Sequence, residues 1–218
     1  LQAWLEKKAI SNPDHAIRRA KERQPLSRDA YRAHLGQLYR WIKKLRPKEG
    51  GNTVWQDYAN ENTYLRGEEA TKRSLIREVV KSRGSKQVID LGCNTGDYSV
   101  VALEAGAQLV IGLDSDIRAI ELAFERAKAS ELPFLPLCID AANPSPAEGW
   151  LQSERQGILE RCKGDLVIAL AFIHHLIIAR NIPLDQVLHW ITNMAPSGLI
   201  EFVPRTDAMV AKLLALRD

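Results

Sequence analysis

Hydrophobic and polar residues alternate along this chain with two different rhythms. In residues 1–46, Ala3, Trp4, Leu5 and Ile10, and later Tyr31, Leu35, Leu38, Tyr39 and Ile42, recur at three- and four-residue spacings, the period of a helix with one apolar face. Pro13 and Pro25 interrupt the pattern, so two or three short helices are predicted there. Pro47 to Asn52 reads as a linker, and a further helix is predicted over Glu68–Ser82. From Gln87 onward short apolar runs alternate with helical patterns. Strands are predicted at 87–91, 108–113, 134–138, 165–170 and 198–203, and helices at 98–105, 117–130, 150–161, 184–194 and 207–216. This order predicts an α/β fold: a doubly wound, mostly parallel sheet with helices on both faces, preceded by a helical extension. Ligands of such sheets sit beyond the strand C-termini, where the strand order reverses. Three segments are expected: a basic helical extension at 1–50, a covering segment and helix at 51–84, and a ligand-binding domain at 85–218.

The first strand carries the most specific chemistry. Residues 88–96 read Val-Ile-Asp-Leu-Gly-Cys-Asn-Thr-Gly, an apolar strand ending in a carboxylate, then a glycine turn into a helix. The next strand, Leu109 to Leu113, ends in a second carboxylate, Asp114. Gly92 permits a tight turn and close approach of a ligand, and a carboxylate at the second strand end can accept hydrogen bonds from ribose hydroxyls. The pair therefore suits an adenosine-containing cofactor. A dinucleotide requires G-x-G-x-x-G, but here Asn94 takes the middle glycine position and Asp97 the third. An anionic Asp97 at a helix start would repel a pyrophosphate. A sulfonium cofactor is cationic and carries no phosphate, so it tolerates such carboxylates.

This pattern resembles motif I of the class I S-adenosylmethionine-dependent methyltransferases, D-x-G-x-G-x-G, with Asn94 at the central glycine; Asn also visits left-handed backbone. The resemblance covers about residues 85–205 and implies a Rossmann-like fold. With the Trp55–Tyr64 segment, it is most similar to bacterial methyltransferases grouped with the nodulation protein NoeA. It implies that Asp90, Gly92, Cys93, Asn94 and Gly96 form the turn under the methionine end of S-adenosyl-L-methionine. Asp114 would hold the ribose, with Ser115 and Ile117 over the adenine; Asp116 reads as a helix N-cap or a second ligand contact. Asp140 and Ala141 resemble the adenine-binding motif, although Asp140 also suits a plain turn. Ala171 and the His174-His175 pair follow the fourth strand, between cofactor and acceptor. Either histidine could take the acceptor's proton, an ordinary imidazole pKa of ~6.5 suiting a base at neutral pH, or it could simply pack there. Trp55, Tyr58 and Tyr64 are expected to close over cofactor and acceptor, or to pack an extension on the sheet. Glu201 is expected on the acceptor side, or paired with an Arg. Lys72 and Arg73 read as solvated helix charges and Cys138 as buried strand structure.

Absences narrow the chemistry. No Asn/Asp-Pro-Pro-Tyr/Phe or Pro-Cys follows the fourth strand, which argues against adenine amine methylation and against 5-methylcytosine chemistry. The sequence has no metal-ligand cluster. Three cysteines without C-x-x-C spacing suggest a reducing, cytoplasmic setting. The longest apolar run, Leu166 to Ile178, is broken by His174 and His175 and falls short of the ~18 residues of a membrane helix. Charge is uneven: residues 1–50 carry +8 and the remainder −5. The acceptor expected is a small molecule or a carrier-bound intermediate. RNA gripped by Lys and Arg at 18, 19, 21, 23, 40, 43, 44 and 46 is the alternative, as is a module docking a partner through residues 1–46. The class I fold normally ends in an antiparallel hairpin that is not seen before Asp218, and the chain starts at Leu1; both lead to the expectation of a piece of a larger protein.

Overall fold

A computed structural model describes residues 27–45 and 66–215. The chain divides into two compact units, Leu1–Glu49 and Gly50–Asp218. The described part of the first is helix α1, Arg28–Lys44, capped by Ser27, whose hydroxyl accepts the Ala30 N–H at 3.2 Å. Its apolar residues Tyr31, Leu35, Leu38 and Ile42 are exposed. The helices predicted before Ser27 lie outside the described residues.

The second unit begins its described part with α2, Arg66–Arg83. Then follow β1 Gln87–Leu91, α3 Asp97–Glu104, β2 Leu109–Asp114, α4 Ile117–Ala129 and β3 Phe134–Cys138. The second half contains a short α5, Ile158–Arg161, then β4 Leu166–Ala169, one π-helical turn His175–Ala179, α6 Leu184–Thr192, β5 Gly198–Ile200 and α7 Ala208–Ala215. The five strands form one parallel sheet in the order β3-β2-β1-β4-β5. The order therefore reverses between β1 and β4, and the turns after these strands are where a doubly wound sheet opens a crevice.

The pleat explains the two-sided core. Val88 of β1 packs with Ile76 and Val80 of α2, Val101 of α3 and Ala123 of α4 on one face, whereas its neighbours Ile89 and Leu91 pack with Val187 and Ile191 of α6 on the other. Strands buried on both faces read as continuous apolar runs, which is why they were legible.

Two predictions need correcting. The helix predicted at 150–161 is an irregular loop with a 3₁₀ turn, Trp150–Gln152, and one helical turn, α5. Trp150 and Leu151 stay exposed, Leu151 and Gln152 adopt positive φ, and Glu148 and Arg155 pair across the loop through two backbone hydrogen bonds and an ion pair. Trp150 and Leu151 have no surface to cover, so the pattern is helical only at α5, where Ile158 is buried in the core. Cys138, expected to be buried, is exposed at the end of edge strand β3.

Candidate functional site

The β1–α3 turn is built around positive φ. Gly92 (74°), Asn94 (48°) and Gly96 (84°) all lie in the left-handed region, as expected where Asn replaces a motif glycine. A Cβ on Gly92 would stand 2.8 Å from the Phe172 ring, and one on Gly96 2.4 Å from the Phe134 ring, so both positions are closed to other residues by contact as well as by backbone. The Gly92 and Cys93 N–H groups both donate to the Leu113 carbonyl, at 2.8 and 3.2 Å, tying the turn to the end of β2.

That turn fixes two carboxylates. Asp90 is buried beneath it and accepts the Ser99 hydroxyl at 2.6 Å. Burial pushes its pKa up to about 7; the Ser99 hydrogen bond opposes the rise, and the neighbouring Asp114 and Asp97 add to it. Asp114 takes the Asn94 N–H on one oxygen and the Asp116 N–H on the other, each at 2.9 Å. Its orientation is thus set by the backbone on both sides. Asp116 is the N-cap of α4, accepting from Arg118 and Ala119 N–H. Asp97 is paired with Arg126 at 2.8 Å, which softens the repulsion predicted from its charge.

At the end of β3, Asp140 plays two parts. One oxygen accepts the Ala142 N–H at 2.9 Å, an Asx turn, and the other pairs with Arg180 at 3.2 Å. At the end of β4, Ala171 has φ 49° and donates its N–H to Glu201 at 2.8 Å. A non-glycine residue held in this region stores strain that its surroundings must maintain. The other Glu201 oxygen pairs with Lys72 at 2.8 Å; the side chains are 12% (Lys72) and 20% (Glu201) exposed. Lys72 is therefore not a solvated helix charge, and the partner of Glu201 is this lysine rather than an Arg. Arg73 makes the i,i+4 pair with Glu69.

The rings of His174, just before the π-turn, and His175, its first residue, lie 4.1 Å apart between centroids and are tilted by 40°. Burial lowers the pKa of both; for His175, with His174 beside it, the value falls to about 4. The expectation of an ordinary imidazole pKa does not hold here, because both rings lose water and His175 has His174 beside it. His174 is buried, with Nδ1 lacking a hydrogen-bond partner among the described residues.

Over these strand ends lies a cavity of about 380 Å³. Of the residues predicted from sequence, it brings together Gly92, Asn94, Asp114, Ser115, Asp140, Ala141, Ala171 and His175. Asp90, Cys93, Gly96, His174 and Glu201 are set back from its surface; Trp55, Tyr58 and Tyr64 lie outside the described residues. The sequence reading missed Lys72, Tyr98, Phe172 and Arg180, which also line it. One signal was available for Lys72: it lies four residues before Ile76 and eight before the fully buried Val80, hence on the core-facing stripe of α2.

The family model of the ribosomal protein L11 methyltransferase (PrmA) matches residues 69–149. Nodulation protein NoeA of Rhizobium meliloti is 49% identical over 193 residues, covering 88% of this chain and 40% of that protein. Ribosomal protein L11 methyltransferase of Alkaliphilus metalliredigens is 28% identical over 109 residues, covering 42% of this chain and 34% of that one. The chain thus spans less than half the length of these relatives. Among solved structures, the bifunctional kinase-methyltransferase WbdD superimposes with a TM-score of 0.49 at 17% identity, over 78% of this chain and 36% of WbdD.

Proposed function

We propose that this chain, related to NoeA over 88% of its length, is a class I methyltransferase that binds S-adenosyl-L-methionine and catalyses methyl transfer to a small or carrier-bound acceptor. The observation that carries this reading is Asp114, a carboxylate on the cavity wall oriented by two backbone N–H donors. The cavity volume falls within the ~300–1,000 Å³ usual for small-molecule sites. The residues present fit the cofactor. Asp114 suits ribose hydroxyls, Asp140 and the Ala141 N–H suit an adenine edge, and the Gly92–Gly96 turn suits a tail laid across β1.

When bound, S-adenosyl-L-methionine supplies an electrophilic methyl group. The protein's part is chiefly to hold an acceptor in line with it, worth up to ~7–11 kcal/mol in favourable cases. His175, uncharged at neutral pH, can accept a proton from the acceptor atom. With a pKa of about 4 it is a weak base, suited to a proton made acidic as the acceptor gains its methyl group, and less suited to deprotonating a resting alcohol or amine. Carboxylates outnumber cations on the described lining (Glu69, Asp97, Asp114 and Asp140 against Lys72 and Arg180). That balance favours a small or carrier-bound acceptor over a phosphate backbone in the cavity.

Calorimetric titration with S-adenosylmethionine and S-adenosylhomocysteine tests the reading. Binding by the wild type and its loss in Asp114→Ala are expected. Absence of binding by folded wild-type protein would refute it.

A further inference from the structure

We propose that Lys72 holds the α-carboxylate of the cofactor's amino-acid tail, with Glu201 fixing the lysine in place; the proposal rests on the cavity being the S-adenosylmethionine site argued above. Sheet order sets the direction of the tail. Asp114 and Asp140, the groups suited to the nucleoside, stand at the ends of β2 and β3. A tail leaving the ribose away from β3 crosses Gly92 after β1 and runs toward the ends of β4 and β5. Lys72 is anchored there, since Glu201 follows β5 and its second oxygen holds Ala171 after β4.

Charge points the same way. The cations lining the cavity among the described residues are Arg180 and Lys72. Arg180 is paired with Asp140 at the nucleoside end, which leaves Lys72 as the cation at the opposite end. A zwitterionic tail also needs an acceptor for its ammonium, and Glu69, three residues before Lys72 on α2 and paired with Arg73, lines the cavity, as does Asp97, paired with Arg126. The lysine is already ordered: its side chain is only 12% exposed and clamped by Glu201. Binding therefore does not have to freeze a free four-carbon arm.

The test compares two ligands in the full chain. S-adenosylhomocysteine carries the amino-acid tail; 5′-methylthioadenosine keeps the nucleoside and thioether without it. Lys72→Gln alone would strand a mostly buried carboxylate at Glu201, so the variant is Lys72→Gln with Glu201→Gln, which retains an acceptor for the Ala171 N–H. Wild-type protein should bind S-adenosylhomocysteine more tightly than methylthioadenosine. The double variant should lose about tenfold to a hundredfold in affinity for the former, the range of one charged hydrogen bond, while its affinity for the latter is unchanged. That second ligand also reports that the variant is folded. Undiminished S-adenosylhomocysteine binding by the double variant overturns the proposal, as does a wild type that shows no preference for the tailed ligand. If the wild type binds neither, the cofactor reading fails and this inference with it.

Discussion

Replacing Asp90 by asparagine should stabilise the protein at alkaline pH and leave it nearly unchanged in acid. Asp90 is fully enclosed beneath the motif turn, with a pKa raised by burial from 3.8 to about 7. Below pH 4 the carboxyl is protonated both folded and unfolded, so burial costs nothing through ionisation. Between pH 4 and 7 the unfolded chain ionises first, and stability falls as pH rises. Above about 7 both states are charged and the loss is complete. At ~1.36 kcal/mol per pH interval, the span amounts to roughly 4 kcal/mol at most. The amide introduced by Asp90→Asn cannot ionise, has nearly the same volume as the carboxyl group and can still accept the Ser99 hydroxyl. Urea unfolding of wild type and Asp90→Asn from pH 4.5 to 8.5 measures the difference. It should widen in favour of the variant up to about pH 7 and then level. A difference that does not change with pH, or a variant less stable at pH 8.5, would show that the carboxylate is charged and compensated in the fold.

Further predictions concern the histidines and the turn. His175→Ala should lower methyl-transfer turnover with little change in S-adenosylhomocysteine affinity; a large loss of affinity in calorimetry would make it a binding residue. In the wild type the His175 contribution should be level through neutral pH and fade only as the imidazole charges near pH 4, the value to which burial lowers it. Loss centred near 6.5 would mean that the ring is hydrated. Gly96→Ala should destabilise by about 2–3 kcal/mol, combining a positive φ with a Cβ 2.4 Å from Phe134. Adding Phe134→Leu should recover part of that loss in thermal unfolding, and no recovery would assign the whole cost to the backbone.

Most of the sheet was legible because strands buried on both faces write their burial directly into sequence. Leu109–Leu113 and Leu166–Ala169 are apolar runs bounded by turn residues, as is Val88–Leu91 apart from Asp90, and each appears within a residue or two of its predicted position. Where burial fails, so does the prediction: of the 150–161 pattern, the exposed Trp150 and Leu151 lie in an irregular loop, and only the turn that buries Ile158 is α-helical.

The motif turn was equally local. Gly92, Asn94 and Gly96 sit at positive φ because their side chains tolerate it, and Asp116 caps α4 through a bond to the backbone two residues on. Such features need only neighbours in the chain, so the sequence alone determined them. Lys72 meeting Glu201 across 129 positions, His174 and His175 losing water on burial, and Asp90 enclosed with Ser99 depend on which elements pack together. Only the tertiary structure decided them, because desolvation and ion pairing depend on distance in space, and sequence separation does not encode it.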